Sequence, residues 1–313
     1  MIRDKNIADD AFIQPHKISG GVMLQGMLYA KAPASGIQPK TYYVNGDGGS
    51  DNFDGLSPDR PFATINKART VSGGRVKWSG SPWANQDRII IYPDVYAEAL
   101  TSSFYGMVVI GLGWAIDLNG EMGVTIKHAT GSPIDVTSLI NGAFMNLCFH
   151  SPADASADVL VQADNCNRML FSDCAFQGVP GASPTTTRGF EVVKDMTGSH
   201  ILRCEFKQIR SSIYLVADNA NSKQITGDKF EDLYITGGDT AGIVFDINST
   251  PSMSVVNRCN MDGGGSTLAL GLDDNSTGEL VHCYNTNFEA TACDPASGAG
   301  HYNNCYLNGT LMT

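Results

Sequence analysis

Short apolar runs alternate with turn residues over most of this chain. From Arg88 to the C-terminus, runs of a few β-branched, aromatic or aliphatic residues are separated by clusters of Gly, Asn, Asp and Ser. That pattern is typical of many short β-strands. One helix is predicted before them, within residues 61–71, where Phe62, Ile65 and Ala68 recur at helical spacing.

The apolar runs repeat along the chain. An apolar residue at position i is followed by Cys or an apolar residue at i+3 and by an apolar residue at i+5, and the first positions are about 22 to 31 residues apart. A period of this length indicates a solenoid, because one coil cannot bury its apolar face without neighbours. The step of three breaks the alternation of a strand and predicts a corner between i and i+3. Five segments match well, and two are weaker: Phe144/Leu147/Phe149, Phe171/Cys174/Phe176, Ile201/Cys204/Phe206, Val256/Cys259/Met261 and Tyr302/Cys305/Leu307, then Ile225/Asp228/Phe230 and Leu280/Cys283/Asn285.

A second type of strand lies between these segments, at 157–164, 189–195, 212–218, 242–248 and 267–273. Coils stacked about 4.8 Å apart align equivalent side chains in columns, with the cysteines as small inward packing groups. The sequence therefore predicts an all-β chain with three parts. Residues 1–40 form an extended N-terminal arm, residues 41–87 a capping segment with a short helix, and residues 88–313 a right-handed parallel β-helix.

Charge and hydropathy exclude several classes of partner. The net charge of −11 and the pI of about 4.9 oppose binding to nucleic acid and to anionic lipid surfaces. No run approaches eighteen consecutive apolar residues, so no membrane insertion is expected. Residues 1–10 are charged where the core of a secretory signal is apolar, so no signal peptide is expected.

The cysteines and histidines do not indicate a metal site. None of the eight cysteines forms a CxxC pair, and no two histidines form an HxxxH pair. In a chain made in a reducing compartment, the cysteines are expected to be free buried thiols. No cofactor and no metal are predicted, with calcium at Asp262 or at Asp273-Asp274-Asn275 as a weak alternative.

The segment that precedes the coils resembles a known family. Residues 42–68, YYVNGDGGSDNFDGLSPDRPFATINKA, resemble the opening of the pectate-lyase-like parallel β-helix superfamily, in which a strand, an Asp/Gly loop and a short helix cap the first coil. The likeness continues through RIIIYPDVYAEAL (88–100), VVIGLGW (108–114) and VTIKHAT (124–130). It covers roughly residues 42–313 and implies the fold, not an activity. Within the superfamily, the chain resembles phage spike, tail-fibre and head-decoration proteins.

Carbohydrate-active members of this superfamily carry carboxylates on an outward face, and glycoside hydrolysis needs two of them roughly 5 to 10 Å apart. If positions i+2 and i+4 point outward, Asp173 is expected beside Arg203. Glu205 is likewise expected beside Lys229, which makes an ion-pair ladder rather than a pair of carboxylates. The acidic residues that remain as weak catalytic candidates are Asp228, Glu231, Asp232 and Asp239.

Three functions are compatible with this sequence. The favoured hypothesis is a structural component of a phage virion, made in the host cytoplasm, that anchors to capsid or tail proteins through residues 1–40 and displays the β-helix. The resemblance to phage spikes implies a homotrimer, with host surface polysaccharide as a ligand. The alternatives are a polysaccharide depolymerase, either a lyase or a glycoside hydrolase, and a non-viral carbohydrate-binding protein.

The favoured hypothesis names two further sets of residues. Aromatic rings pack on the apolar faces of sugars, and the candidates for that contact are Trp83, Tyr105 and Tyr306. The candidates for anchoring are the apolar and turn-forming residues of the arm, Ile7, Phe12, Ile13, Pro15, His16 and Ile18.

Overall fold

The computed structural model divides the chain into two compact units, Met1–Pro39 and Lys40–Thr313. In the first unit, Val22–Leu24 and Met27–Tyr29 pair antiparallel. The predicted anchoring residues between Ile7 and Ile18 lie outside the described residues. The described residues are 22–24, 27–29, 39–75, 86–113, 123–128, 132–151, 159–178, 188–215, 223–237, 240–245, 249–252, 254–262, 268–274, 281–294 and 301–312.

The second unit is the predicted parallel β-helix. Three sheets run along it, and the coils between Arg88 and Asp294 contribute to all three in turn. In the first sheet, ten parallel strands follow one another in chain order, so each strand pairs with its counterpart one coil later. These strands are Thr41–Val44, Arg88–Ile91, Val108–Gly111, Ala143–Met145, Leu170–Ser172, His200–Leu202, Lys229–Glu231, Ser254–Asn257, Val281–Tyr284 and His301–Asn303.

The second and third sheets complete each coil and share the strand Asn287–Asp294. The second sheet also contains Asp94–Tyr96, Val124–Lys127, Cys148–His150, Ala175–Gln177, Glu205–Lys207, Tyr234–Thr236, Asn260–Asp262, Tyr306–Leu307 and the antiparallel Thr310–Leu311. The third sheet also contains Phe104–Tyr105, Ile134–Ile140, Val159–Asn167, Arg188–Val192, Met196–Thr197, Ser211–Leu215, Lys223–Thr226, Ala241–Phe245, Ser249–Ser252 and Leu268–Asp274.

The corner between the first and second sheets is where the sequence predicted it, between i and i+3. The residue at i+2 has a φ between 48° and 56° in seven successive coils. Asn and Asp tolerate this left-handed conformation better than other residues with a side chain, and they fill five of the seven positions. The seven residues are Asn146, Asp173, Arg203, Asp232, Arg258, Asn285 and Asn304.

Position i+3 explains why cysteine recurs in the repeat. The thiols of Cys174, Cys204 and Cys259 each lie 3.4 Å from the carbonyl oxygen two residues earlier, inside the corner. In the next coil Thr286 takes the same position, and its hydroxyl donates to the carbonyl of Tyr284 at 2.9 Å. Burial raises the pKa of Cys259 to about 12, so the thiol keeps its proton and remains a donor. Cys or Thr fills this position in five of the seven coils, and Leu fills it in the other two. The thiol or hydroxyl adds a second donor to a carbonyl that already accepts a backbone amide of the preceding coil.

All eight cysteines are free thiols, as predicted. Not all of them belong to the i+3 column, however. Cys148 lies at i+4 on the outer side of the second sheet, Cys166 lies in the third sheet, and Cys283 lies at i in the first sheet.

The two weaker repeats were predicted in the wrong register. Phe230, not Ile225, pairs with Ile201 in the first sheet, so this coil reads Phe230/Leu233/Ile235. Cys283, not Leu280, pairs with Val256, so the later coil reads Cys283/Thr286/Phe288. Both errors have the same cause. The spacing alone assigned these repeats, and it put the carboxylate of Asp228 and the amide of Asn285 at positions that are otherwise apolar or cysteine.

Aromatic side chains fill the interior in stacked columns. The rings of Phe176 and Phe206 are 4.4 Å apart and nearly parallel, and those of Phe144 and Phe171 are 5.3 Å apart. All four side chains are fully buried. Stacking of equivalent residues in neighbouring coils therefore gives the rod a solid core.

The single helix of the described residues, Ile65–Arg75, packs against the first strands of the first sheet. It begins later than predicted, because Phe62 is extended and bridges to Val44. Thr64 caps the helix by accepting a hydrogen bond from the Lys67 amide at 3.2 Å. The helical spacing of Phe62 thus reflected burial at 1% exposure, not helical structure.

Two carboxylates hold the start of this helix. Glu98 accepts hydrogen bonds from the amides of Ile65 and Asn66 at 2.8 and 2.9 Å. Asp51 accepts from the amides immediately before them. The first amides of a helix have no partner within it, and a carboxylate there also meets the positive end of the helix dipole. Glu98 therefore acts as a cap of this helix.

Replacing Glu98 with Ala should lower the free energy of unfolding by on the order of 2–3 kcal/mol, because two part-buried amides lose a charged acceptor. Urea unfolding followed by circular dichroism measures this. Asp59→Ala, which removes an exposed carboxylate of the same segment, serves as the control and should leave the midpoint unchanged. Equal midpoints for both variants would contradict the capping role.

Candidate functional site

The outer face of the second sheet carries a row of tyrosine and asparagine side chains on four successive coils. Tyr234, Asn260, Asn287 and Tyr306 are in register with one another at position i+4. Their strand neighbours at i+5 point into the core, so these four side chains point outward. We call this set the tyrosine–asparagine row. Four strands at about 4.8 Å spacing place its two rings roughly 14 Å apart.

The ends of the row are its most exposed parts. Tyr234 is 42% exposed and Tyr306 is 39% exposed, although most aromatic side chains of the described rod are buried. The two asparagines between them are half-buried. The side-chain amide of Asn287 donates through Nδ2 to the side-chain oxygen Oδ1 of Asn260 at 3.1 Å. That bond fixes both amides in one orientation. An amide offers two donors and an acceptor, so each retains hydrogen-bonding capacity toward solvent.

The corner positions i+2 border the row on one side. Here Asn304 donates to Asn285 at 2.8 Å and accepts from the Tyr306 hydroxyl at 3.3 Å. Asp232 accepts two hydrogen bonds from Arg258, at 2.6 and 2.9 Å. These contacts hold the ring of Tyr306 and neutralise the carboxylate of Asp232, two residues before Tyr234.

The same corner carries the ion-pair ladder predicted from the sequence. Arg203 donates to both carboxylate oxygens of Asp173, at 2.7 and 2.8 Å. These hydrogen bonds hold the pKa of Asp173 below its usual value, and the Arg258 bonds do the same for Asp232. Both arginines have a positive φ, which is unfavourable for a residue other than Gly, Asn or Asp. The two-pronged contact with the preceding coil accounts for an arginine at this position.

The second predicted rung of that ladder is wrong. Glu205 pairs with Tyr234 in the second sheet and lies 2.7 Å from Lys207. Lys229 belongs to the first sheet, where it pairs with His200 and Val255. The register error in the Ile225 repeat placed Lys229 at i+4, a position that belongs to Tyr234.

Position i+6 borders the row on its other side. Thr236, Asp262 and Glu289 follow one another in register there. Glu289 is exposed, and Asp262 is half-buried. Acidic side chains, among them the weak calcium candidate Asp262, therefore lie beside the two asparagines.

The structure does not bring the predicted acidic candidates into one site. Asp228 is fully buried, whereas Glu231 is on the outer face of the first sheet, with one carboxylate oxygen 2.8 Å from Nε2 of His200. Asp232 lies at the corner with Arg258. Asp239 lies outside the described residues.

Asp228 is an interior group. One of its carboxylate oxygens accepts from the Ser199 amide at 2.7 Å, and the other has no hydrogen-bond partner among the described residues. Burial raises the pKa of Asp228 to about 7. This carboxyl therefore titrates near neutrality without facing the solvent.

Of the aromatic candidates, Tyr306 belongs to the tyrosine–asparagine row. Tyr105 is half-buried in the third sheet, and Trp83 lies outside the described residues. Tyr234 was missed, although a signal for it was present. Had Phe230 been taken as the start of its repeat, Tyr234 would have fallen at i+4, the position of Tyr306.

No helix among the described residues is long and apolar enough to span a membrane. Within the same residues, no group of three or more His, Cys, Asp or Glu side chains is placed to hold a metal ion.

Two pectin methylesterases are among the solved structures that the chain resembles. The pectin methylesterase PemA from Erwinia chrysanthemi is 12% identical with a TM-score of 0.45, and the match covers 88% of this chain and 92% of that one. A pectin methylesterase in complex with a hexasaccharide is 13% identical with a TM-score of 0.46 and the same coverage. No family model and no curated protein matches the chain. Matches at this level assign no activity, and the resemblance to phage proteins stays a prediction.

The buried carboxyl predicts a pH effect on stability. Because the pKa of Asp228 is about 7 in the folded chain and about 3.9 in the unfolded chain, its protonated form stabilises the fold at low pH, and this contribution is lost as the pH rises through 7. Asp228→Asn should therefore be more stable than the wild type at pH 8, by on the order of 4 kcal/mol, and should match it near pH 4.

Thermal melts of both proteins between pH 4 and pH 8 measure this difference. Comparing the two curves cancels the opposite effect of Asp173 and Asp232, whose lowered pKa values make them stabilising at neutral pH and not in acid. A difference that does not change with pH would show that the Asp228 carboxyl is not buried as described.

Proposed function

We propose that this chain is a carbohydrate-binding β-helix and that the tyrosine–asparagine row is its binding surface. The observation that carries the proposal is the exposure of Tyr234 and Tyr306 in register on the same outer face, with Asn260 and Asn287 between them. Two rings with hydrogen-bonding amides between them suit a ligand that alternates apolar faces with hydroxyl groups. A polysaccharide is such a ligand.

The chemistry of the row fits sugars in two respects. The exposed face of each tyrosine ring offers an apolar surface at little cost in conformational entropy, since the side chain has few rotatable bonds. The hydrogen-bonded asparagine pair offers donors and acceptors in a fixed direction. Both elements lie on successive strands of one sheet, so the surface suits an extended chain rather than a compact small molecule.

Rigidity supports the same proposal. The strands beneath the row present Ile235, Met261 and Phe288 to a fully packed interior. A surface on such a core loses little freedom when a ligand binds, which favours affinity from a small number of contacts. The row therefore does not depend on ordering of a loop.

Replacing Tyr234 or Tyr306 with Ala should weaken binding to the recognised polysaccharide about tenfold or more, a loss of about 1.4 kcal/mol, because each removes one stacking surface. Phe at either position keeps the ring and should keep most of the affinity. A glycan array identifies the polysaccharide, and calorimetry or affinity electrophoresis measures the variants.

Tyr105→Ala is the matched control, since Tyr105 lies on the third sheet, away from the row. It should bind as the wild type does. The proposal would be contradicted if Tyr105→Ala abolished binding while Tyr234→Ala and Tyr306→Ala kept it. Release of new reducing ends from the bound polysaccharide would assign the chain to the depolymerase alternative.

We further propose that the rod is a structural component of a phage particle, attached through residues 1–40. Its support is the sequence argument for an anchoring arm and the resemblance to phage spikes, fibres and decoration proteins. In such a particle, the rod would present the row to host surface polysaccharide, and the homotrimer implied by the resemblance would present three rows.

Deletion of residues 1–40 tests the attachment. The remaining chain contains every described strand of the three sheets and should keep the circular dichroism and thermal melt of the full-length protein. It should fail to co-purify with the particles that the full-length protein joins. Incorporation of the truncated protein at the full-length level would contradict the anchoring role.

A further inference from the structure

We infer that the tyrosine–asparagine row accepts uncharged glycans and disfavours those that carry carboxylates, and that Glu289 sets this preference. The inference rests on the proposed function and names the class of ligand. It is carried by the distribution of charge around the row, which differs between its two ends.

At the end near Tyr234, the charges around the row are compensated. Glu205, which precedes Tyr234 in the i+4 column, lies 2.7 Å from the ammonium of Lys207. Asp232 at the corner is held by two hydrogen bonds from Arg258. Each of these carboxylates is paired with a cation, so these groups leave little net charge at this end of the row.

At the other end, the charge is negative. Glu289 is exposed, and within the described part of the chain no cation pairs with it. It follows Asn287 by two residues in the same strand, so both side chains are on the outer face, roughly 7 Å apart along the strand. In register with Glu289 on the preceding coil lies Asp262. The Arg258 guanidinium, the nearest corner cation, is already shared with Asp232.

A glycan that contacts Asn287 and Tyr306 therefore places its substituents beside the Glu289 carboxylate. Hydroxyl groups there can donate to the carboxylate oxygens. A uronate or another carboxylate meets a like charge, and the net charge of −11 adds to the repulsion at longer range. The preference is thus a selection against one ligand class as well as for another.

The experiment compares polysaccharides that differ in charge and not in backbone. Alginate and polygalacturonate are each assayed beside their carboxyl-reduced forms, with dextran, mannan and galactan as uncharged chains, against the wild type, Glu289→Gln and Glu289→Lys. Asp59→Asn, which removes one exposed carboxylate from the capping segment, controls for net charge.

For the wild type, the carboxyl-reduced forms should bind more tightly than their acidic parents. Glu289→Gln should improve binding of the acidic parents about fivefold, the factor for one unit-charge repulsion at about 4 Å in water, and Glu289→Lys should improve it further. Asp59→Asn should leave the preference unchanged. In 1 M salt the difference between parent and reduced forms should disappear, since charges are then screened within about 3 Å.

Two results overturn the inference. If acidic parents bind the wild type as tightly as their reduced forms, the row does not select against carboxylates, and the proposed function stands without this preference. If Asp59→Asn shifts the preference as much as Glu289→Gln does, overall charge is responsible and not Glu289. Absence of binding to every chain of the panel would overturn the proposed function itself and this inference with it.

Discussion

Pairing of each coil with the next in strict register at the corner between the first and second sheets is the constraint on which the rest of this structure depends. Backbone hydrogen bonds run from coil to coil through all three sheets, and a corner residue with a positive φ recurs at the same point of seven successive coils. A shift of one residue in any coil would turn its core side chains outward. The phenylalanine columns, the corner ladder and the tyrosine–asparagine row exist because no coil of the described rod makes that shift at the first corner.

The sequence predicted this architecture because the buried positions of each coil recur as a pattern of apolar residues and cysteine. Position i+3 admits few side chains, so cysteine marked it in four coils, and the apolar i and i+5 positions confirmed the spacing. The same reasoning failed where the trace was weak. Thr286 replaces cysteine as the corner donor, and Leu233 replaces it without a donor, so both coils were aligned on a neighbouring residue. The error at Phe62 has a different cause. Phe62 is buried and extended, and its spacing from Ile65 and Ala68 matched that of a helix.

The candidate site was less accessible to sequence reasoning, for a physical reason. Outward residues are not selected by packing, so they carry no periodic signal of their own and inherit their position from the core register. Tyr306 was identified because its coil was aligned correctly, and Tyr234 was missed because its coil was not. Asp228 shows the converse: a carboxylate that a sequence argument assigns to a polar corner lies in the interior, where Ser199 supplies one hydrogen bond.

The alternation of Asp173, Arg203, Asp232 and Arg258 along one corner has a consequence for how such a rod can change its length in evolution. Loss of the coil that carries Arg203 would set Asp173 against Asp232, and duplication of one coil would set two like charges side by side. An insertion or deletion of two coils would preserve the alternation of charge along this corner, whereas one of a single coil would interrupt it.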